Sequence, residues 1–143
     1  MPLNPEISRF IREHLDDNPD QLLWKKNEYP DDRVVVAVEQ IQARENIKEK
    51  LPSWYACQNI FYPSKLSTEQ CSSETTAPYK ARLTTGNSLC DLTGGLGVDT
   101  YFFSRQVDKV TYVERDKSYC EAARFNFLAL GATNIEVIHA DAT

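Results

Sequence analysis

Several things that a 143-residue chain could contain are missing from this one. No apolar run approaches the ~20 residues a bilayer-spanning helix needs, and nothing has a signal-peptide layout, which argues against a membrane protein and a secreted one. There is no surplus of positive charge: 16 Lys and Arg against 21 Asp and Glu leave a net charge of −5. The deficit is spread evenly, with 10 basic and 13 acidic side chains in residues 1–80 and 6 and 8 in residues 81–143. Neither half is a basic arm, so attraction to nucleic acid would need a local patch assembled in three dimensions. Histidine is limited to His14 and His139, and the four cysteines (Cys57, Cys71, Cys90, Cys120) stand 14, 19 and 30 residues apart with no CxxC pair. That spacing suits neither a zinc site nor a disulfide framework; it predicts reduced, mostly buried thiols in a cytoplasmic protein with no bound metal. Glycine is scarce as well, and three of the five fall at positions 94, 95 and 97.

What is present, 41% hydrophobic and 26% charged residues in 16.3 kDa, fits a soluble globular chain of about one ordinary domain. Two composition regimes meet near residue 85. The first reads as helices. Asn4-Pro5 and Asn18-Pro19 are N-cap-then-proline starts, the first ahead of Ile7, Phe10, Ile11 and His14, the second ahead of Leu22, Leu23 and Trp24. A longer helix is predicted from Asp31 or Asp32 to about Lys50, with Val35, Val38, Ile41, Ile47 and Leu51 as its apolar stripe and Pro52 closing it. The run from Val34 to Val38 could pass for a strand, but its length and the charged continuation favour helix. The charges from Glu39 to Lys50 read as a solvated face. Residues 52–66 read as an aromatic connecting loop, and a helix capped by Ser67 or Thr68 should follow to Leu83, kinked or broken at Pro78.

The second regime alternates. Ser88–Leu92 reads as a short buried strand, Val98–Gln106 as a helix, and Lys109–Glu114 as a second strand. Asp116 should cap a helix with Cys120, Ala123, Phe127 and Leu130 on its inner face and Gly131 as its stop, and Asn134–His139 forms a third strand. The fold class is therefore α/β: a helical N-terminal domain (residues 1–66) followed by β-α-β-α-β with right-handed crossovers (residues 67–143), the first half of a Rossmann-like sheet.

The turn Asp91-Leu92-Thr93-Gly94-Gly95-Leu96-Gly97-Val98-Asp99 is the place where chemistry is expected, because glycines let the backbone approach a ligand. Gly95 and Gly97 fit the first two positions of the dinucleotide fingerprint, but position 100 is Thr, and no Gly-Lys-Ser/Thr follows, so neither an NAD fingerprint nor a P-loop is complete. Glu114 ends the second strand 20 positions after Gly94, where a carboxylate would meet ribose hydroxyls. Asp141, in His139-Ala140-Asp141-Ala142, follows the third strand within reach of an adenine amino group. A turn with two strand-end acids at one sheet edge is a stronger signal than the turn alone.

This constellation resembles the class I S-adenosylmethionine-dependent methyltransferases over residues 67–143, with Asp91-x-Thr93-x-Gly95-x-Gly97 similar to their first motif. The stretch Leu66 to Lys80, together with Asp91–Asp99 and Tyr112-Val113-Glu114-Arg115-Asp116, looks like bacterial methyltransferases that carry a C-terminal THUMP-like domain, which also resemble the trimethylguanosine synthase group. The aromatic loop and the N-terminal helices extend that likeness over most of the chain. The resemblance implies S-adenosylmethionine as cofactor, with Asp91, Thr93, Gly94, Gly95 and Gly97 at its methionine end and Glu114 on the ribose. It puts Asp141 and Ala142 at the adenine, and Ser72, Ser73 and Thr76 in the segment covering the carboxylate. It implies RNA (tRNA or rRNA) as methyl acceptor, a guanine amine among the candidates.

The chain also departs from that family. It stops after the third strand, without the Asn/Asp-Pro-Pro-type motif that follows the fourth, and no catalytic residue can be named. It is expected to be an N-terminal fragment that binds cofactor but is inactive alone, able to self-associate through the unpaired edge of its first strand. The alternative is a non-catalytic nucleoside-binding or interaction module; a nicotinamide oxidoreductase is disfavoured by Thr100. Plainer readings apply to single residues. Asp99 serves as a helix-dipole partner, Asp116 as a cap, His139 as a core residue, Ser72-Ser73 as a capping segment, and Trp54, Tyr55, Phe61 and Tyr62 as packing rather than base-stacking groups.

Overall fold

Each asparagine-proline pair starts a helix in the computed structural model, which describes residues 3–143. Asn4 accepts from the Glu6 amide at 2.8 Å ahead of α1 (Pro5–His14), and Asn18 accepts from Asp20 and Gln21 ahead of α2 (Pro19–Leu23). Trp24 does not share in the burial of Leu22; it is 82% exposed. The valine run is helical, in α3 (Arg33–Ile47). The buried stripe is rotated from the expected one: Val34 and Ala37 are buried with Val38 and Ile41, whereas Val35 is half-buried. Arg44, expected on the solvated face, is buried, with its guanidinium 4.0 Å from the centroid of the Tyr55 ring and a hydrogen bond to the Tyr55 carbonyl. Phe10, Ile11, Leu15 and Leu22 close the α1–α3 core against that stripe.

The connecting segment is more ordered than a loop. Pro52 opens α4 (Pro52–Ala56) rather than closing α3, since a proline ring suits the first helical turn as well as it ends the previous one. Ser64, not Ser67 or Thr68, caps α5 (Lys65–Gln70), and those two residues are buried inside it. The break expected at Pro78 falls at residues 71–75. Pro78 sits in the first turn of α6 (Thr76–Arg82), where its missing N–H costs no intrahelical bond.

Three parallel strands follow, β1 (Ser88–Asp91), β2 (Lys109–Glu114) and β3 (Ile135–His139), in the order β1-β2-β3, with α7 (Val98–Ser104) and α8 (Lys117–Ala129) as crossovers. Asp116 caps α8, and Gly131 ends it with a paired motif in which the Ala132 amide donates to the Phe127 carbonyl and the Gly131 amide to Leu128. β1 is not the buried strand expected: Ser88 and Cys90 are exposed and Leu89 and Asp91 half-buried. The same open face carries Ile138, while Tyr112, Cys120, Ala123 and Phe127 form a core between sheet and α8. Only Cys120 of the four cysteines is buried; Cys90 is exposed, and all four are free.

A third cluster joins the two regimes. Ala43, Ile47, Leu51, Trp54, Ile60 and Tyr62 pack against Ala77, Leu96 and Val98. Trp54 and Tyr62 are therefore interior groups rather than stacking platforms. Two side-chain amides fasten the segment between. Gln40 of α3 donates to the Tyr62 carbonyl (2.8 Å) and accepts from its amide (2.9 Å), and Asn126 of α8 does the same to Phe61 at 2.8 Å each way.

Candidate functional site

The turn after β1 is held by its own polar groups. Asp91 accepts from the Thr93 amide with one carboxylate oxygen (3.1 Å) and from the Thr100 hydroxyl with the other (2.7 Å). Thr100, which breaks the dinucleotide fingerprint, is fully buried and is thus the partner of the strand-end acid. Gly94 has no room for a side chain: a Cβ there would lie 2.3 Å from the Tyr112 ring. Gly97 combines a φ of +97° with a ring atom of Phe127 2.7 Å from where its Cβ would be, so it turns the chain into α7 at closest approach to the core.

The Gly95 peptide group is gripped from both sides. Its amide donates to Glu114 Oε2 (2.9 Å), and its carbonyl accepts from the Tyr112 hydroxyl (2.6 Å). Burial, reinforced by the nearby Glu114 carboxylate, pushes the Tyr112 phenol well above its ordinary pKa, so it remains a protonated donor. The other oxygen of Glu114 accepts from the Asp116 amide at 3.0 Å. Each carboxylate oxygen has a second acceptor site, so two positions on Glu114 stay open to a ligand while backbone amides fix its orientation. Asp141 is exposed; bonds from the Thr143 hydroxyl and amide hold its carboxyl below the usual range.

A two-lobed cleft lies over this edge of the sheet. The first lobe, about 260 Å³, runs between the end of α5, Ser72 and Lys80 on one side and Thr93 to Asp99 on the other. The second, about 500 Å³, is bounded by Leu92, Glu114, Arg115 and Ala140 to Thr143. Gln70, Thr93, Gly95 and Tyr119 belong to both lobes and form the waist. Tyr119 is anchored there by a 2.6 Å hydrogen bond with Ser64, which ties α8 to the cap of α5.

Of the residues expected at the site, Ser72, Thr93, Gly94, Gly95 and Gly97 line the first lobe and Glu114, Asp141 and Ala142 the second. Asp91, Ser73 and Thr76 line neither. Asp91 is consumed by the turn, and Ser73 accepts from the Thr76 amide and donates to its hydroxyl, tying down the start of α6. His139 is exposed rather than a core residue, and its Nε2 donates to the Arg115 carbonyl at 2.9 Å. The sequence reading missed Gln70, Tyr119 and above all Lys80, whose Nζ lies 2.9 Å from Ser72 Oγ and 3.1 Å from Asp99 Oδ2. Nothing in the local pattern sets Lys80 apart from any exposed helix lysine; only the fold brings it to the turn. Cys71, also on the first lobe, is pushed up by burial against the lowering effect of Lys50 and stays a thiol. Among the described residues no group of three or more His, Cys, Asp or Glu is placed to hold a metal ion, and no helix is long and apolar enough to cross a membrane.

No family model matches the chain, and no curated protein matches it. A solved structure does: a protein of Porphyromonas gingivalis W83 described as a "putative methyltransferase" superposes with a TM-score of 0.79 at 31% sequence identity. The match takes in 93% of this chain but 33% of that one, so this chain spans a third of the neighbour's length. The mixed α/β architecture with its three-stranded parallel sheet is therefore a fold shared with a protein described as a methyltransferase.

Proposed function

We propose that the chain is the cofactor-binding portion of an S-adenosylmethionine-dependent methyltransferase. The observation that carries this reading is the disposition of acceptors along the cleft. Glu114, oriented by two backbone amides, stands at the end of β2, and Asp141 follows β3 in the same lobe. A carboxylate with two open acceptor positions suits a ribose diol, and a second carboxylate beyond it suits an exocyclic amine. The glycine turn brings backbone close to the rest of such a ligand without side chains in between. When bound, the cofactor supplies an electrophilic methyl group on sulfur. This chain holds and orients the nucleoside and excludes water from one side, and alignment of acceptor and methyl near ~3–3.5 Å is the main catalytic requirement. RNA, with a guanine amine among the acceptor groups, is the proposed substrate of the whole protein. Its support is the resemblance of the Leu66–Lys80 stretch to RNA-modifying families.

Calorimetric titration with S-adenosylmethionine, S-adenosylhomocysteine and NAD tests the reading. Binding of the first two without NAD is expected. Asp141→Ala should weaken it several-fold, and Glu114→Ala should abolish it. Asp141 is the cleaner probe because its only bonds are to Thr143. Failure of the folded chain to bind either sulfur nucleoside, or preferential binding of NAD, overturns the proposal.

A further inference from the structure

The proposed cofactor reading leaves the first lobe without an assigned recognition group, and the side chains there form a matched set. Lys80 is the one cation lining that lobe among the described residues. An ammonium carries three N–H donors; two are spent on Ser72 Oγ and Asp99 Oδ2, and the third is free. Ser72 accepts from Lys80, which leaves its own hydroxyl proton to donate. One anion beside these residues would therefore meet two donors, one of them charged. Asp99 completes the set: its Oδ1 is buried and has no hydrogen-bond partner, while Oδ2 holds the lysine. An acceptor left in that state calls for a donor.

Resting on the cofactor reading above, the geometry points to Lys80, Ser72 and Asp99 as a recognition site for an α-amino-acid zwitterion, the carboxylate on Lys80 and Ser72 and the ammonium on Asp99. The pairing of one fixed cation with one fixed anion explains why the lobe favours this class. A zwitterion presents the complementary pair and no net charge. A phosphate or pyrophosphate in the same place would face the Asp99 carboxylate with nothing to offset it, so the lobe discriminates against phosphorylated nucleotides as well. Lys80 reaches the site from α6 and Asp99 from α7, so the two helices must keep their packing for the site to exist.

The test compares S-adenosylhomocysteine with 5′-methylthioadenosine, which keeps the nucleoside and sulfur but lacks the amino-acid end, by calorimetry on the chain and its Lys80→Met, Lys80→Arg and Asp99→Asn variants. The unsubstituted chain should prefer S-adenosylhomocysteine by about ten- to hundredfold, the range expected for charge-assisted hydrogen bonds. Lys80→Met should reduce that preference to about twofold and leave the affinity for 5′-methylthioadenosine unchanged, which also shows that the fold is intact. Lys80→Arg should keep most of the preference, and Asp99→Asn should lose much of it. A Lys80→Met variant that keeps the full preference overturns the assignment, and so does an unsubstituted chain that binds both compounds equally; in both cases the cofactor reading survives. If neither compound binds, both proposals fall.

Discussion

The α1–α3 region and the glycine turn are held by different forces. The first is an apolar seam: Phe10, Ile11, Leu22, Val34 and Ile41 exclude water, and many near-equivalent side chains would do the same. In the second, most contacts are polar and single-valued. Asp91 has two partners, Gly95 has two, Glu114 has two, and Gly94 and Gly97 have no space for a Cβ. The seam fixes helices to within a packing tolerance, whereas the turn fixes individual peptide planes. Ligand geometry depends on peptide planes, so the demanding part of the sequence lies in the turn.

That contrast can be broken deliberately. Trp54→Ala empties the fully buried centre of the cluster joining the two regimes, and should cost about 3–5 kcal/mol in denaturant or thermal unfolding. Both regions should lose stability together; if the turn's ligand affinity persisted at full strength in the destabilised protein, the two would be independent. Gly94→Ala forces a methyl group into the Tyr112 ring and should cost roughly 1–3 kcal/mol, with a disproportionate loss of nucleoside binding. An Ile41→Ala variant should show the reverse pattern, unstable but binding normally once folded.

The smallest effect is the sharpest. Tyr112→Phe removes the donor to the Gly95 carbonyl and should cost about 1 kcal/mol near neutral pH. Its pH dependence follows from the raised pKa of the phenol. The folded state keeps the proton longer than the unfolded chain, so the contribution is fully present below the unfolded value near 10 and is lost as pH rises above it. Equilibrium unfolding between about pH 9 and 11 should show the parent losing stability more steeply than Tyr112→Phe, with the remaining slope owed in part to Tyr62, whose phenol burial also pushes up. Equal slopes would mean that the Tyr112 hydroxyl is not held in the folded state as described.

Local chemistry was legible wherever it acts over a few residues. The Asn4, Asn18 and Asp116 caps, the Gly131 stop and the boundaries of β2 follow from side chains bonding to backbone two or three positions away. The valine run was legible as helix because the 3.6-residue period outlasted it. Tertiary neighbours decided the rest. Arg44 is buried because Tyr55 lies across it, His139 is exposed because its strand has an open face, and Pro52 begins a helix because Trp54 needs a fixed approach to the core. At the site, Thr93, Gly95, Glu114 and Asp141 announced themselves through spacing along strands. Lys80 and Asp99 lie 19 residues apart on two helices, and their pairing exists only once those helices pack.

Phe61 and Tyr62 belong to no helix or strand, yet the N–H of each is held by a side-chain amide from an opposite regime of the chain, Asn126 for one and Gln40 for the other. Two adjacent amide hydrogens in an irregular segment should therefore exchange with deuterium at a rate set by larger openings of the molecule rather than by local fraying. Because one is fastened to α8 and the other to α3, the ratio of their exchange rates reports which regime opens first.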